Sequence, residues 1–260
     1  MKKIFSICLL FIAFAMGANA QETSDEGTNN YTYNYKRYKL DFRAGYSIGG
    51  TAPLGMPASI RGLNSFKPLF NLQVGADLER RISDKWGFTV GLRLDRKGMK
   101  TDARTKGYHM TIVKGGEAIE GYFYGNVVTN SSIWVISVPL QANYWFTKNF
   151  KLRLGPYFGI NIDRDFNGWA YDGYLRKDTP TGERIVLGTA PEDRGEYDFS
   201  DDMRPLQWGL DLGLDYHIYK GWGLYAELQW GWNCVFKSSF KTIEQKMYPL
   251  YGTIGIVKGF

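Results

Sequence analysis

The sequence predicts an all-β protein, an eight-stranded antiparallel transmembrane β-barrel of outer-membrane type with four long extracellular loops. Three observations carry that expectation. Eight stretches alternate apolar and polar residues one for one, tight and long connections alternate between them, and an export-type leader precedes them. A period of two puts one residue set on each face of a strand. About 9–11 such residues cross a bilayer as a tilted strand.

The leader is expected over residues 1–20. Lys2 and Lys3 form its charged end, Ile4 to Ala15 its apolar stretch, and Ala18-Asn19-Ala20 a small-x-small cleavage site before Gln21. Residues 21–39 then form a periplasmic N-terminal segment and residues 40–260 the barrel domain. Cys8 leaves with the leader, so Cys234 is the one cysteine of the mature chain and has no partner for an internal disulfide.

The strands are expected at Leu40–Ile48, Phe70–Arg81, Trp86–Lys97, Ile133–Phe146, Lys151–Asp163, Pro205–Tyr219, Gly223–Cys234 and Tyr248–Phe260. In Pro205–Tyr219 the even positions are large and apolar, while most of the odd ones are Gln, Gly, Asp and His. Ser83-Asp84-Lys85, Thr147-Lys148-Asn149 and Lys220-Gly221-Trp222 read as tight turns; Gly49–Leu69, Gly98–Ser132, Phe166–Arg204 and Val235–Met247 read as the external loops. Pro139 and Pro156 fall inside strands, where a bulge or a weak spot near a rim is expected.

Composition agrees. Aromatic residues make up 16% of the chain and there are 31 glycines. Mean hydropathy is negative, as half-polar strands and polar loops require. No mature segment approaches 18 consecutive apolar residues, which excludes helical spans. The formal charge of +6 falls to +4 without Lys2 and Lys3, too mild and dispersed for a nucleic-acid partner.

Aromatic girdles are expected at both interfaces. Trp86, Phe88, Tyr144, Trp145, Phe146, Phe150, Tyr216, Tyr219, Trp222 and Tyr225 belong to the tight-turn end. Tyr46, Trp134, Trp208, Trp230, Trp232 and Tyr248 belong to the other. Lys258 is expected on the lipid face, its ammonium reaching the headgroups.

The inward parity collects Arg43, Asp77, Glu79, Arg93, Asp95, Arg153, Asp211, Asp215 and Glu227, with Asp41, Gln73, Gln141, Asn143, Asn161, Asp163 and His217. Eight strands leave an interior just wide enough for side chains to fill, so these charges must pair. They are expected to be a structural network rather than a proton or ion path. If the first tight turn pairs Glu79 with Thr89, then Asp77 faces Gly91 and Gly75 faces Arg93. The last hairpin similarly sets Gly213 opposite Glu227.

Catalytic, cofactor-binding and metal residues are expected to be none. His217 lies near a periplasmic turn, His109 lacks a sequence-local partner, and Asp198, Asp201 and Asp202 lack the glycine and terminal glutamate of an EF-hand calcium loop. The long loops offer Tyr108, Tyr122, Tyr124, Trp169, Tyr171 and Tyr174 as candidate contacts. These are either partner contacts or the ends of strands projecting beyond the membrane.

Taken together, the leader ending Ala18-Asn19-Ala20-Gln21, the strand Leu40–Ser47, the hairpin Phe70–Lys97, and Val138-Pro139-Leu140-Gln141-Ala142 followed by Gly155-Pro156-Tyr157-Phe158-Gly159 carry a resemblance. The mature chain resembles the PorT-like family of small outer-membrane barrels of the Bacteroidetes. The resemblance implies residence in a bacterial outer membrane and little about activity. Expected partners are outer-membrane lipid, the barrel assembly machinery through Phe260, and an unknown protein or surface ligand. Two roles stay open: a non-enzymatic barrel whose loops bind a partner or ligand, and an accessory component of a secretion or transport assembly.

Overall fold

A computed structural model describes residues 38–260 other than 54, 56, 241 and 244. The expected leader and nearly all of the expected 21–39 segment lie outside the described residues.

Eleven strands follow in chain order: β1 Tyr38–Pro53, β2 Ile60–Pro68, β3 Leu72–Arg81, β4 Trp86–Lys114, β5 Glu117–Trp145, β6 Phe150–Lys177, β7 Arg184–Leu187, β8 Gly195–Asp198, β9 Leu206–Tyr219, β10 Trp222–Gly231 and β11 Met247–Gly259. Eight of them close a ring in the order β1, β3, β4, β5, β6, β9, β10, β11, each antiparallel to its neighbours. The first and last strands seal it over Asp41↔Gly259 to Pro53↔Met247. Closure removes sheet edges, the condition for strands in lipid. Among the described residues no helix is long and apolar enough to cross a membrane.

Local chemistry sets the inner ends. Ser83 Oγ accepts the Trp86 N–H at 3.1 Å, and Thr147 Oγ1 accepts that of Phe150 at 3.1 Å. The third tight turn is shorter than expected, because Lys220 and Gly221 alone link Tyr219 to its partner Trp222, both at positive φ. Pro139 and Pro156 interrupt pairing without shifting register. The β4–β5 ladder skips from Val90↔Leu140 to Arg93↔Ser137, and the β5–β6 ladder from Pro139↔Tyr157 to Ala142↔Leu154. Of the two expectations, bulge and weak spot, there is no bulge; the missing proline N–H leaves a weak spot, a gap of two pairs in each ladder.

In the outer half the expectation of strands projecting beyond the membrane is the one that holds. β4, β5 and β6 run 29, 29 and 28 residues, roughly three times what a bilayer needs. Gly98–Ser132 is therefore a hairpin, not a loop. Its tip is Gly115-Gly116, with φ of 62° and 86°, the handedness a two-residue hairpin turn demands. Phe166–Arg204 holds the end of β6 with β7 and β8, and Gly49–Leu69 holds the end of β1 with β2. Beyond the membrane these strands enclose an apolar core. Met110, Ile112, Phe123, Val127, Phe166, Leu175, Leu187, Tyr197, Phe199 and Met203 are buried there with Val235, Phe236 and Ile243 from the last connection.

Three inward or outward assignments need correcting. Trp145 and Tyr225 are buried rather than part of the girdle, because they share the inward parity of Gln141 and Glu227. Asp163, expected inside, is exposed: the register slips between Trp134↔Asp163 and Val135↔Asn161, and the bulged residue inverts the parity beyond it. The remaining girdle residues stand outward or at the rim. Lys258 donates to the Lys220 carbonyl at 2.7 Å with its ammonium beside the Trp222 and Phe260 rings.

Candidate functional site

Two side-chain assemblies stand out, one in the lumen and one on the projecting sheet. In the lumen the expected pairings hold: Glu79↔Thr89, Asp77↔Gly91, Gly75↔Arg93 and Glu227↔Gly213. The small residue opposite each charge gives the long side chain room. A Cβ on Gly213 would lie 2.5 Å from Arg153 Nη2.

All nine network residues are buried and brought together. Arg43 grips Asp215 with both Nη atoms, at 2.9 and 2.6 Å, and donates Nε–H to Asp77. Arg153 donates to Asp215 at 3.1 Å, Glu227 at 3.1 Å and Gln141 at 2.7 Å. Arg93 donates to Asp211 at 2.9 Å and to Glu227, and reaches Asp77 at 3.4 Å. Forked guanidiniums suit this because each presents several donors in fixed geometry. Three further members were missed. Lys151 pairs with Glu79, Lys97 with Gln229, and Tyr225 donates to Gln73 at 2.8 Å. Both lysines share the inward parity of Asp95 and Arg153, so the same alternation that placed those two inside also pointed to Lys97 and Lys151 at the ends of the expected strands. The result is a plug across the barrel.

His217 contacts Lys39 at 3.1 Å while the neighbouring Asp215 is engaged by three cations, so no His–Asp pair forms. His109, without a partner near it in sequence, gains one across the hairpin: its Nε2 lies 3.3 Å from Glu120 Oε1. Asp198 accepts bonds from Ser200 and caps a local turn.

The second assembly lies on the outer face of the projecting sheet. Five of the six candidate contacts share it. Register aligns His109, Tyr122 and Arg176 in one row, Lys106, Tyr124 and Tyr174 in the next, then Arg104, Asn126 and Tyr171, then Asp102, Val128 and Trp169. Tyr108 does not belong. A bulge at Gly107, whose φ is 67°, turns its ring to the apolar core instead.

The face alternates rings with cations. Tyr124 stacks on Tyr174 with centroids 5.0 Å apart, and Arg184 lies 4.1 Å over Tyr174. Trp169 is flanked by Lys100 at 4.8 Å and Arg194 at 5.3 Å. Tyr171 donates to Asp102 at 2.8 Å, and this bond, with partial burial, raises its pKa. Beside this ladder a shallow polar hollow is lined by Arg61, Arg104, Lys106, Tyr124, Asn126 and Asp172. The cations were not anticipated. Their signal was present as Lys100-x-Asp102-x-Arg104-x-Lys106, an alternation with charge rather than apolar side chains on the outward face. Among the described residues no three His, Cys, Asp or Glu side chains converge as a metal-holding group.

A family model described as outer membrane protein beta-barrel domain matches residues 12–237. No curated protein matches the sequence. Among solved structures, Ail of Yersinia pestis in complex with the heparin analogue sucrose octasulfate is similar at 11% identity and a TM-score of 0.37, over 86% of this chain and 99% of that one. OprG from Pseudomonas aeruginosa gives 15% and 0.37, over 87% and 97%. Neisserial surface protein A gives 9% and 0.36, over 86% and 97%.

Proposed function

The chain belongs to the outer membrane protein beta-barrel domain family, and from that premise we propose that it is a non-enzymatic surface-binding protein. Its projecting sheet holds an anionic ligand or partner outside the cell. The observation that carries this is the single outward face on which Tyr122, Tyr124, Trp169, Tyr171 and Tyr174 alternate with Lys100, Arg104, Lys106, Arg176 and Arg184. Aromatic rings supply rigid contact area and guanidiniums supply charge-assisted bonds to carboxylate or sulfate. The apolar core behind the face holds it in place before any ligand arrives, which lowers the ordering cost of binding.

Dextran sulfate and neutral dextran test the reading on purified protein in nanodiscs. Wild type retains the sulfated polymer and releases it as salt rises. Arg104→Glu with Arg184→Glu abolishes retention, and Tyr124→Ala weakens it. Equal behaviour of the two polymers, or of wild type and the charge-reversed variant, rejects the reading. The alternative, an accessory part of a secretion assembly, rests on resemblance to the PorT-like Bacteroidetes family and on residues 22–39, nearly all outside the described residues. Crosslinking from intact cells separates the two, since the partners lie on opposite sides of the membrane.

A further inference from the structure

The barrel wall is incomplete at its outer rim. β3 stops pairing with β1 at Tyr46↔Leu72, while β1 continues to Pro53 and is paired from there on only by β11. Where β3 would have continued stands β2, which pairs with β4 over Ile60↔Thr105 to Pro68↔Met99. Among the described residues no ladder joins β1 to β2. Residues 48–53 and 60–68 are thus joined by side chains alone: Phe66 Cε2 and Met99 Sδ lie 3.4 and 2.7 Å from where a Cβ on Gly50 would stand, so this slot is closed by two flexible side chains and not by a ladder. Its lower end adjoins Tyr46, a member of the outer aromatic girdle, so it opens at headgroup depth.

Behind the slot lies a cavity of about 420 Å³, within the roughly 300–1,000 Å³ of small-molecule sites. Met99, Ala103 and Val127 line its interior, while Leu63 and Phe66 stand at β2 with 53% and 41% of their surface exposed. Several polar groups in the lining are already engaged, while Thr51 Oγ1 is buried without a hydrogen-bond partner. Thr51 N–H points across the slot to Met99 Sδ at 3.3 Å, and Tyr197 is bonded to Thr129 and to the Val128 carbonyl. Gln245 is bonded to Ser59, and Thr105 to the Gly125 carbonyl. An occupant is thus offered apolar surface and few free hydrogen-bonding groups. Leaving such a space empty forfeits contacts on every wall.

We propose that this cavity binds the unbranched alkyl chain of a fatty acid, which enters sideways from the outer membrane surface through the slot between β1 and β2. The site is separate from the aromatic and cationic face and does not depend on it. Entry from the side lets the chain leave lipid without crossing water, while its carboxylate stays at the interface.

Purified protein in nanodiscs titrated with cis-parinaric acid tests this. Saturable binding above partition into empty nanodiscs, displaced by palmitate and not by benzoate, is expected. Ala103→Trp fills the cavity and weakens binding by about tenfold or more. Leu63→Glu, at an exposed mouth position that leaves the core untouched, does the same if the tryptophan disturbs folding. Both variants are checked for the unheated gel mobility of the closed barrel. Absence of saturable binding to wild type, displacement by benzoate as strong as by palmitate, or full binding by folded Ala103→Trp and Leu63→Glu would overturn the proposal.

Discussion

Arg43, Asp77 and Arg93 show what a single residue does in this lumen. Asp77 lies among three guanidiniums, from β1, β4 and, at 3.7 Å, Arg153 of β6, but they are not equivalent. Arg43 donates directly to it, whereas Arg93 stands 3.4 Å away and also holds Asp211 and Glu227. Removing one member of a buried pair strands the other at a cost of roughly 3–5 kcal/mol. Asp77→Asn, Arg43→Met and Arg93→Met are each expected to lower stability on that scale in urea unfolding from detergent. The double-mutant cycles should differ, with Asp77–Arg43 coupling larger than Asp77–Arg93. Equal couplings, or none, would mean the network is not organised around these contacts. The Asp77–Arg93 proximity was legible because a three-residue turn fixes the register of its hairpin. Arg43 was placed inside by parity, but its contact with Asp77 joins strands far from any shared tight turn, which nothing local in the sequence encodes.

Among the elements, the β4–β5 hairpin decides how far the protein reaches beyond the membrane. Inside lipid, outward positions must be apolar, so alternation marks Trp86–Lys97 clearly. Past the rim both solvent and an inner core are present, and the outward residues become Lys100, Asp102, Arg104 and Lys106. The hydrophobic signal then thins to every second residue on a shorter scale, and the bulge at Gly107 reverses its phase. The tip carries a signal that the reading of Gly98–Ser132 as a loop passes over: Lys114-Gly115-Gly116-Glu117 is a hairpin turn whose two glycines take positive φ. Replacing both by Val forces β-branched residues into that region at about 1–2 kcal/mol each. Gly115→Val with Gly116→Val is expected to open the tip to protease on intact cells. The barrel should keep its unheated gel mobility, because the tip is remote from the ring. Loss of the folded barrel instead would show that the projecting hairpin is needed to close it.

At the scale of the whole molecule, strand number decides whether the barrel is a pore. Eight strands leave space only for side chains, and here that space is occupied by Arg43, Arg93, Arg153 and Lys151 interleaved with Asp77, Glu79, Asp211, Asp215 and Glu227. An ion entering the lumen would have to displace charge-assisted bonds that bridge β1, β3, β4, β6, β9 and β10. Those bonds also tie the strands across the barrel, so opening a path means breaking the links that hold its walls in place. Ring closure and lumen filling are thus one property of the sequence, set by the count of alternating strands and the parity of their charges. Planar bilayers containing purified protein are expected to show no stable channels. Arg93→Ala with Arg153→Ala, removing the two guanidiniums that share Glu227, is expected to produce at most brief flickering together with lower stability in urea. Stable porin-like conductance from wild type would mean that the lumen is open in the membrane and that the plug yields to ions.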